Sequence, residues 1–202
     1  MSEADEHAHH NDRMKKVQAA RAKIQARKTE ERGLLIVHTG NGKGKSSSAF
    51  GMAVRSLGWG MKVGVVQFVK GNWETGEKNF FAQYPDLLTF NAMGEGFTWD
   101  TQDRARDIAA ARAAWERSKE LILDPDYDFI ILDELNIVAR NGSLPIDEIV
   151  DFLKIKPRDK HVCVTGRGAK PELLEIADLV TEFAEVKHPY NAGFKAQRGV
   201  EF

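Results

Sequence analysis

The feature that most constrains the fold is a glycine-rich stretch between an apolar run and a helix-forming segment. The apolar run covers residues 34–37, the stretch covers residues 38–47 with the sequence HTGNGKGKSS, and residues 48–55 have a helix-compatible composition. A strand, a glycine-rich turn, a Lys-Ser pair and a helix, in this order, are typical of a loop that binds phosphate groups. Glycines let backbone N–H groups converge on phosphate oxygens, and the positive end of the helix dipole faces the same anion.

The candidate phosphate contacts all belong to this loop. They are Gly40, Asn41, Gly42, Lys43, Gly44, Lys45, Ser46 and Ser47. Lys45 can reach the phosphates, and the hydroxyl of Ser46 can coordinate magnesium. The usual pattern, G-x-x-x-x-G-K-[ST], has glycine where Thr39 stands here, and Gly40 comes one residue later. The loop predicts a bound triphosphate but leaves the reaction open.

Apolar runs alternate with helix-compatible segments along the rest of the chain. Strands are predicted at residues 62–69, 87–90, 129–132, 162–165 and 179–183, and helices at 101–123, 146–153 and 171–177. We expect Asp100 or Thr101 to cap the long helix, and residues 184–202 to be irregular. This order predicts an α/β fold, with a mostly parallel central sheet and helices on both faces. Ligands then bind at the carboxyl ends of the strands.

The N-terminal region differs from the rest, so we divide the chain into residues 1–32 and a catalytic domain at 33–202. Residues 1–12 hold acids and three histidines and are expected to form a solvated tail. Residues 13–28 hold seven Lys or Arg residues, no acid and many alanines, which predicts a basic helix. Three interpretations of this helix stay open: a solvated helix, a cap over an anionic ligand, or a contact with nucleic acid or membrane.

Charge and hydropathy exclude several classes of protein. The net charge of −1 argues against a strongly polyanion-binding domain, so no nucleic-acid partner is expected. The apolar runs are too short for a membrane span, and the first eleven residues hold no apolar signal core. The single cysteine, Cys163, lies in an apolar run and suits a reducing compartment. We therefore expect a cytoplasmic protein without membrane insertion.

Two acids directly follow a predicted strand, at Asp133 and Glu134. Acids at a strand end beside a phosphate loop are typical of a magnesium–nucleotide site, in which a carboxylate binds the metal or its waters. Glu134 could also activate a water molecule for attack on the γ-phosphate. The residues alone therefore leave hydrolysis, phosphoryl transfer and nucleotidyl or alkyl transfer from ATP open.

Three further segments contain candidate ligand contacts. Phe97 and Trp99 lie between glycines and a helix start, where they form either a platform for a flat ligand or a hydrophobic staple. Arg167 follows a strand and could bind phosphate. His188 precedes a proline, and its residue type alone favours a structural role.

Six segments together resemble the ATP:cob(I)alamin (corrinoid) adenosyltransferases of the bacterial phosphate-loop type. They are HTGNGKGKSSSAF at 38–50, VVQFVKGNW at 65–73, GFTWDTQ at 96–102, ILDELN at 131–136, VTGRGA at 164–169 and KHPYNAGFKAQRGVEF at 187–202. The resemblance covers about residues 30–202. In this family the phosphate loop has Thr in place of the usual first glycine, so Thr39 agrees with the family pattern. The family usually has Thr where Ser46 and Ser47 stand, and serine keeps the hydroxyl.

The resemblance implies a RecA-like phosphate-loop fold, a homodimer, and transfer of the 5′-deoxyadenosyl group of ATP to Co(I) of cobalamin or another corrinoid, with release of triphosphate. It makes Lys45, Lys43 and Glu134 the catalytic candidates, and Ser46, Asp133 and Glu134 the ligands of Mg²⁺ or Mn²⁺. It also makes Phe97, Trp99 and His188 candidate corrinoid contacts, and the basic helix a lid over the site. A flavoprotein-type reductant is the expected partner, and a phosphate-loop NTPase or nucleotide kinase is the alternative function.

Overall fold

A computed structural model describes residues 3–69, 74–94 and 103–201. The chain divides into two compact units, residues 1–31 and residues 32–202. The first contains the helix α1 (Glu3–Gln25). Residues 5–12 are exposed, as predicted for a solvated segment, but they are helical, because α1 already begins in this acidic segment. Residues 3–25 contain neither glycine nor proline, and an exposed Asp12–Lys16 pair, one helical turn apart at 2.8 Å, supports the continuation.

The second unit is built on one parallel sheet. Its strands are β1 (Leu35–Thr39), β2 (Val63–Gln67), β3 (Leu88–Ala92), β4 (Phe129–Asp133), β5 (His161–Thr165) and β6 (Leu179–Glu182). The spatial order is β3-β2-β4-β5-β1-β6, and every pairing is parallel. The predicted α/β class is confirmed, and the sheet is entirely rather than mostly parallel. The arrangement is that of a RecA-like phosphate-loop fold.

Helices cover both faces of this sheet. Those described in this unit are α2 (Lys45–Leu57), α3 (Gly76–Phe81), α4 (Arg104–Leu123), α5 (Leu135–Arg140), α6 (Ile146–Lys154) and α7 (Pro171–Ile176), with a 3₁₀ turn at Pro189–Ala192. Successive strand residues point to opposite faces, so Ile36 packs with α2 and α3 while Val37 packs with α4 to α7. Each strand needs apolar side chains on both faces, which explains the unbroken apolar runs in the sequence.

The helices differ from the sequence-based prediction in three places: the cap of α4 and the two short helices α3 and α5. Asp103 caps α4, because its carboxylate accepts hydrogen bonds from the amides of Ala105 and Arg106 at 3.1 Å. The predicted caps, Asp100 and Thr101, lie outside the described residues. Two helices of six residues, α3 and α5, were not predicted, because they are short and lack the proline that marks the first turn of the equally short α7. None of the described helices is long and apolar enough to cross a membrane.

Candidate active site

The glycine-rich loop connects the carboxyl end of β1 to α2. Gly40 (φ +96°) and Gly44 (φ +107°) adopt left-handed conformations that favour glycine. A Cβ on Gly40 would lie 2.5 Å from the carbonyl oxygen of Phe183, and one on Gly42 would lie 2.5 Å from that of Ala184. The Gly42 amide donates to the Phe183 carbonyl at 2.7 Å. Packing against the chain that follows β6 is therefore a second reason for these glycines.

Lys45 lies inside the loop, with only 7% of its surface exposed. Its Nζ donates to the carbonyl oxygen of Gly42 at 2.5 Å. Burial lowers the pKa of Lys45, and the cations of Arg167 and Lys43 act in the same direction, against the opposing charge of Glu134. A partly desolvated ammonium among other cations gains stabilisation from any anion that reaches it. This is the electrostatic setting of a phosphate site.

His38 forms a hydrogen bond with the first residue of α2. The sequence analysis did not predict this role. Its side chain is buried, and Nδ1 donates to the carbonyl oxygen of Lys45 at 3.2 Å. Phe183 packs edge-on against the same ring, with 5.3 Å between ring centroids. Because a carbonyl can only accept, Nδ1 carries the proton, and burial lowers the pKa of His38. A neutral ring can occupy this buried position without an unpaired charge.

Asp133 ends β4 and is fully buried. Its Oδ1 accepts a hydrogen bond from the Thr165 hydroxyl at 2.7 Å, and its Oδ2 accepts one from the Gln67 amide at 2.9 Å. These two partners end β5 and β2, and the register pairs Gln67 directly with Asp133. Sequence reasoning missed both partners, although each occupies the same position on its own strand. Gln67 and Thr165 therefore fix the carboxylate at the carboxyl end of β4.

Glu134 has a left-handed backbone (φ 66°), which costs about 1–3 kcal/mol for such a residue. Its amide donates to the Thr165 hydroxyl at 3.0 Å. A Cβ on Gly166 would lie 3.2 Å from Glu134 Oε2 and 3.0 Å from the Cβ of Asn136, so glycine makes room for both side chains. Strained residues persist where the surroundings determine them and occur often at active sites.

A cavity of about 980 Å³ opens in front of these groups. Of the predicted site residues, it is lined by Asn41, Gly42, Lys43, Gly44, Lys45, Ser46, Ser47, Glu134 and Arg167. Apolar side chains of α2 and α3 form another part of the wall, which includes Val54 and Phe80. The volume is at the upper end of the range for pockets that hold small molecules and cofactors.

Three of the other predicted site residues lie outside the cavity lining. Gly40 and Asp133 sit behind the cavity and are not among its lining residues. His188 also lies outside the lining; its Nδ1 accepts a hydrogen bond from the Tyr190 amide at 3.1 Å and caps the 3₁₀ turn. Phe97 and Trp99 lie outside the described residues.

The donor set of the predicted metal ligands fits a hard divalent cation. Ser46 and Glu134 line the cavity and have oxygen donors, and Asp133 directly precedes Glu134 in the sequence. Mg²⁺ usually takes one or two protein carboxylates and completes its shell with substrate phosphates and water. The described residues contain no group of three or more His, Cys, Asp or Glu side chains that could hold a metal alone. The arrangement therefore suits a metal that arrives with a phosphate ligand.

The C-terminal segment reaches the same cavity. Gly199, Val200 and Glu201 line it, and the Glu201 carboxylate forms an ion pair with Lys43 of the loop. The carboxylate lies where the loop is expected to receive phosphate oxygens. A phosphate group must therefore compete with Glu201 for Lys43.

Replacing Glu201 by glutamine is expected to tighten ATP binding, because Lys43 no longer has to leave an ion pair. The expected gain is roughly 2–5-fold, which corresponds to the free energy of one partly exposed ion pair. The dissociation constant of ATP with Mg²⁺, measured by titration calorimetry, checks this. Glu175→Gln removes the same charge from an exposed residue of α7, outside the cavity lining, and serves as the control. Weaker binding by Glu201→Gln would contradict the prediction and would indicate that Glu201 assists the metal–nucleotide complex.

Comparisons with known proteins agree with this geometry. A sequence profile of the family described as ATP:corrinoid adenosyltransferase BtuR/CobO/CobP matches residues 31–202. A corrinoid adenosyltransferase of Pseudomonas aeruginosa is 54% identical over 193 residues, which cover 96% of this chain and 95% of the relative. One of Sinorhizobium sp is 52% identical, with 96% and 92% covered. One of Escherichia coli is 45% identical, with 92% and 95% covered.

Proposed function

The chain belongs to the family of ATP:corrinoid adenosyltransferases, and on that premise we propose that it transfers the 5′-deoxyadenosyl group of ATP to Co(I) of a corrinoid in cobalamin biosynthesis. Triphosphate is the second product. The observation that carries the proposal is the buried Lys45, which lies inside the phosphate loop beside Arg167 and Glu134 at the wall of a large cavity.

In this reaction the protein mainly has to align the cobalt with C5′ and to stabilise the charge of the leaving triphosphate. Co(I) carries no proton and attacks C5′ with its own electron pair, so the Co–C bond forms as the C5′–O bond breaks. The electron pair of the broken bond leaves with the triphosphate. Lys45, Lys43 and Arg167 would stabilise the charge of the leaving group, and the loop would hold it in line with the cobalt. No general base is required, so Glu134 need not activate water.

A divalent cation, Mg²⁺ or Mn²⁺, is part of the proposal. Ser46 and Glu134 would hold it at the cavity wall, and Asp133 would hold it directly or through water. Once bound, the cation neutralises charge on the phosphate oxygens. The supporting observation is the all-oxygen donor set, with Asp133 held by Gln67 and Thr165.

Hydrolysis or phosphoryl transfer is the alternative, because an acidic pair beside a phosphate loop is also typical of NTPases and kinases. The experiment that separates them is an anaerobic assay with ATP, Mg²⁺ and chemically reduced cobalamin. Loss of the Co(I) absorption, a light-sensitive Co–C bond and triphosphate support adenosyl transfer. Phosphate or ADP without loss of Co(I) would refute it.

Phe97 and Trp99 are proposed to pack against the corrin, on the basis of their residue types and the family resemblance. In that position they exclude water and an axial ligand from the cobalt, which makes reduction of Co(II) to Co(I) easier. Replacing either by alanine is expected to lower turnover from Co(II) and a reductant about tenfold, the effect of about 1.4 kcal/mol of lost contact. Turnover from pre-reduced Co(I) should fall less. Equal losses in the two assays would count against this role.

Several expectations from the sequence and from the resemblance stay predictions. They are the homodimer, the flavoprotein-type reductant, the cytoplasmic location, the contact of His188 with the corrinoid and the role of the basic helix as a lid. The helix α1 belongs to its own compact unit. A variant without residues 1–28 should bind the corrinoid more weakly if the lid hypothesis is right.

A further inference from the structure

The turn that directly follows β5, at residues 166–169, is held at both of its ends by side chains from other segments. Its first carbonyl, that of Gly166, accepts a hydrogen bond from Asn136 Nδ2 at 3.0 Å. Its last amide, that of Ala169, donates to the hydroxyl of Thr39 at 3.1 Å. Asn136 and Thr39 are only 1% and 9% exposed, so both side chains are largely shielded from competing water.

Arg167 lies inside this turn and lines the large cavity. Its guanidinium has no hydrogen-bond or ion-pair partner among the described residues. Burial lowers the pKa of Lys45, and the positive charge of Arg167 lowers it further, so the two cations are close enough for their charges to interact. Two cations at the wall of one cavity attract an anion to it.

The turn contains two glycines, and they do not fix its shape. Gly166 (φ +126°) and Gly168 (φ +68°), on either side of Arg167, have backbone conformations that favour glycine. A Cβ on Gly168 would also lie 2.7 Å from the Cδ of Arg140, a residue of α5. Glycine has many alternative conformations, so an arginine between two glycines has no fixed direction of its own. Contacts from outside the turn must therefore determine where the guanidinium lies.

We infer that Thr39 and Asn136 are positioning residues, which hold the turn so that the guanidinium of Arg167 contacts the phosphate groups bound by the loop. The inference rests on the proposed function. The usual phosphate-loop pattern has glycine where Thr39 stands, and glycine has no side chain that could accept from the Ala169 amide. The threonine therefore links the phosphate loop directly to the segment that supplies an additional cation.

Asn136 links the turn to the phosphate loop a second time. Its Nδ2 also donates to the carbonyl oxygen of His38, the residue before Thr39, at 3.4 Å. Its Oδ1 is buried and has no hydrogen-bond partner among the described residues. An unpaired buried acceptor lowers stability, so the fold alone does not favour asparagine here. The gain lies in its two donated bonds, which end on the segments that carry the phosphate loop and Arg167.

The test is a double-mutant cycle between Thr39 and Arg167 in the full-length protein, with inorganic triphosphate and Mg²⁺ as the ligand. Thr39→Val keeps the shape of the side chain and removes the hydroxyl, and Arg167→Met removes the charge. Each single variant is expected to weaken triphosphate binding about tenfold, whereas the double variant should bind no more than about twofold more weakly than Arg167→Met. Thr39→Ser keeps the hydroxyl and should bind within about twofold of the wild type. Titration calorimetry measures the four dissociation constants of the cycle and that of Thr39→Ser.

Thr89→Val is the matched control. Thr89 lies on β3, outside the lining of the large cavity, and its hydroxyl shares a hydrogen bond of 2.7 Å with the hydroxyl of Tyr127. This variant also loses a hydroxyl hydrogen bond, but it should bind triphosphate like the wild type. Asn136→Ala releases the other end of the turn and should show the same coupling to Arg167, so the inference can be tested even if Thr39→Val does not fold.

Several results would overturn the inference. Equal losses with and without Arg167 would show that Thr39 acts on the loop itself, and an unchanged affinity of Thr39→Val would show that the turn keeps its shape without the hydroxyl. A loss of affinity in Thr39→Ser would trace the effect to packing, and an unaffected Arg167→Met variant would remove the phosphate contact.

The wild-type protein separates this inference from the proposed function. Coupled triphosphate binding without adenosyl transfer from ATP to Co(I) would refute the function and leave the positioning of Arg167. Adenosyl transfer together with an additive cycle would refute only the positioning role.

Discussion

Replacing Lys45 by methionine is expected to lower the rate of adenosyl transfer by about 10²–10³-fold, the usual effect of removing a group that stabilises charge in the transition state. Methionine keeps most of the length and the apolar stem, so the loss reports the ammonium group. Lys45 is the least exposed cation at the cavity wall, and a buried charge interacts more strongly with an anion than an exposed one. Single-turnover kinetics with saturating ATP and pre-reduced Co(I) measures the step.

The same substitution should not weaken the fold. Burial already lowers the pKa of Lys45, so the charged form is under strain in the ligand-free protein, and an apolar side chain removes that cost. Unfolding by urea is therefore expected to give a free energy equal to or above that of the wild type. Lys154→Met, at an exposed position near the end of α6, is the matched control and should retain full activity. A Lys45→Met enzyme within about threefold of the wild-type rate would refute the proposed role.

The phosphate loop was predictable from the sequence because its residues are contiguous. The unusual Thr39 becomes clear only in the structure, where its hydroxyl accepts a hydrogen bond from the amide of Ala169 at 3.1 Å. The first left-handed glycine of the loop is Gly40, one residue later. Its packing against Phe183 joins two segments more than 140 residues apart, which no local pattern encodes.

The strands were predictable because each is a local apolar run, but a local run does not identify the neighbouring strands in the sheet. An apolar run identifies a strand such as β4 and predicts that Asp133 lies at its end. It does not state which strand lies beside it. The neighbours of Asp133 follow from the order β2-β4-β5, which brings Gln67 and Thr165 to the same carboxylate. Thr165 was signalled as a polar residue at the end of the run 162–165, whereas Gln67 lies inside the predicted strand 62–69 and gave no such signal.

Replacing Asp133 by asparagine is expected to raise the Mg²⁺ concentration needed for half-maximal rate by about 10–100-fold, the usual effect of changing a group that orients a metal site. The substitution keeps the size of the side chain and removes its charge. The amide can still accept from one donor, and the Gln67 amide can turn to accept from the new N–H, so the fold should lose only about 1 kcal/mol. Binding of Mn²⁺, followed by electron paramagnetic resonance, gives a readout independent of turnover.

Variants of Thr165 distinguish the effect of the charge of Asp133 from the effect of its orientation. Thr165→Val removes the hydroxyl that donates to Asp133 and accepts from the Glu134 amide, but leaves both carboxylates charged. Its effect on Mn²⁺ affinity should lie between wild type and Asp133→Asn, and Thr165→Ser should restore most of the affinity because it restores the hydroxyl. If Asp133→Asn kept the Mn²⁺ affinity of the wild type, the cation would have to be held by Ser46, Glu134 and the triphosphate alone. Asp133 would then stabilise only the sheet edge, and the metal part of the proposal would be wrong.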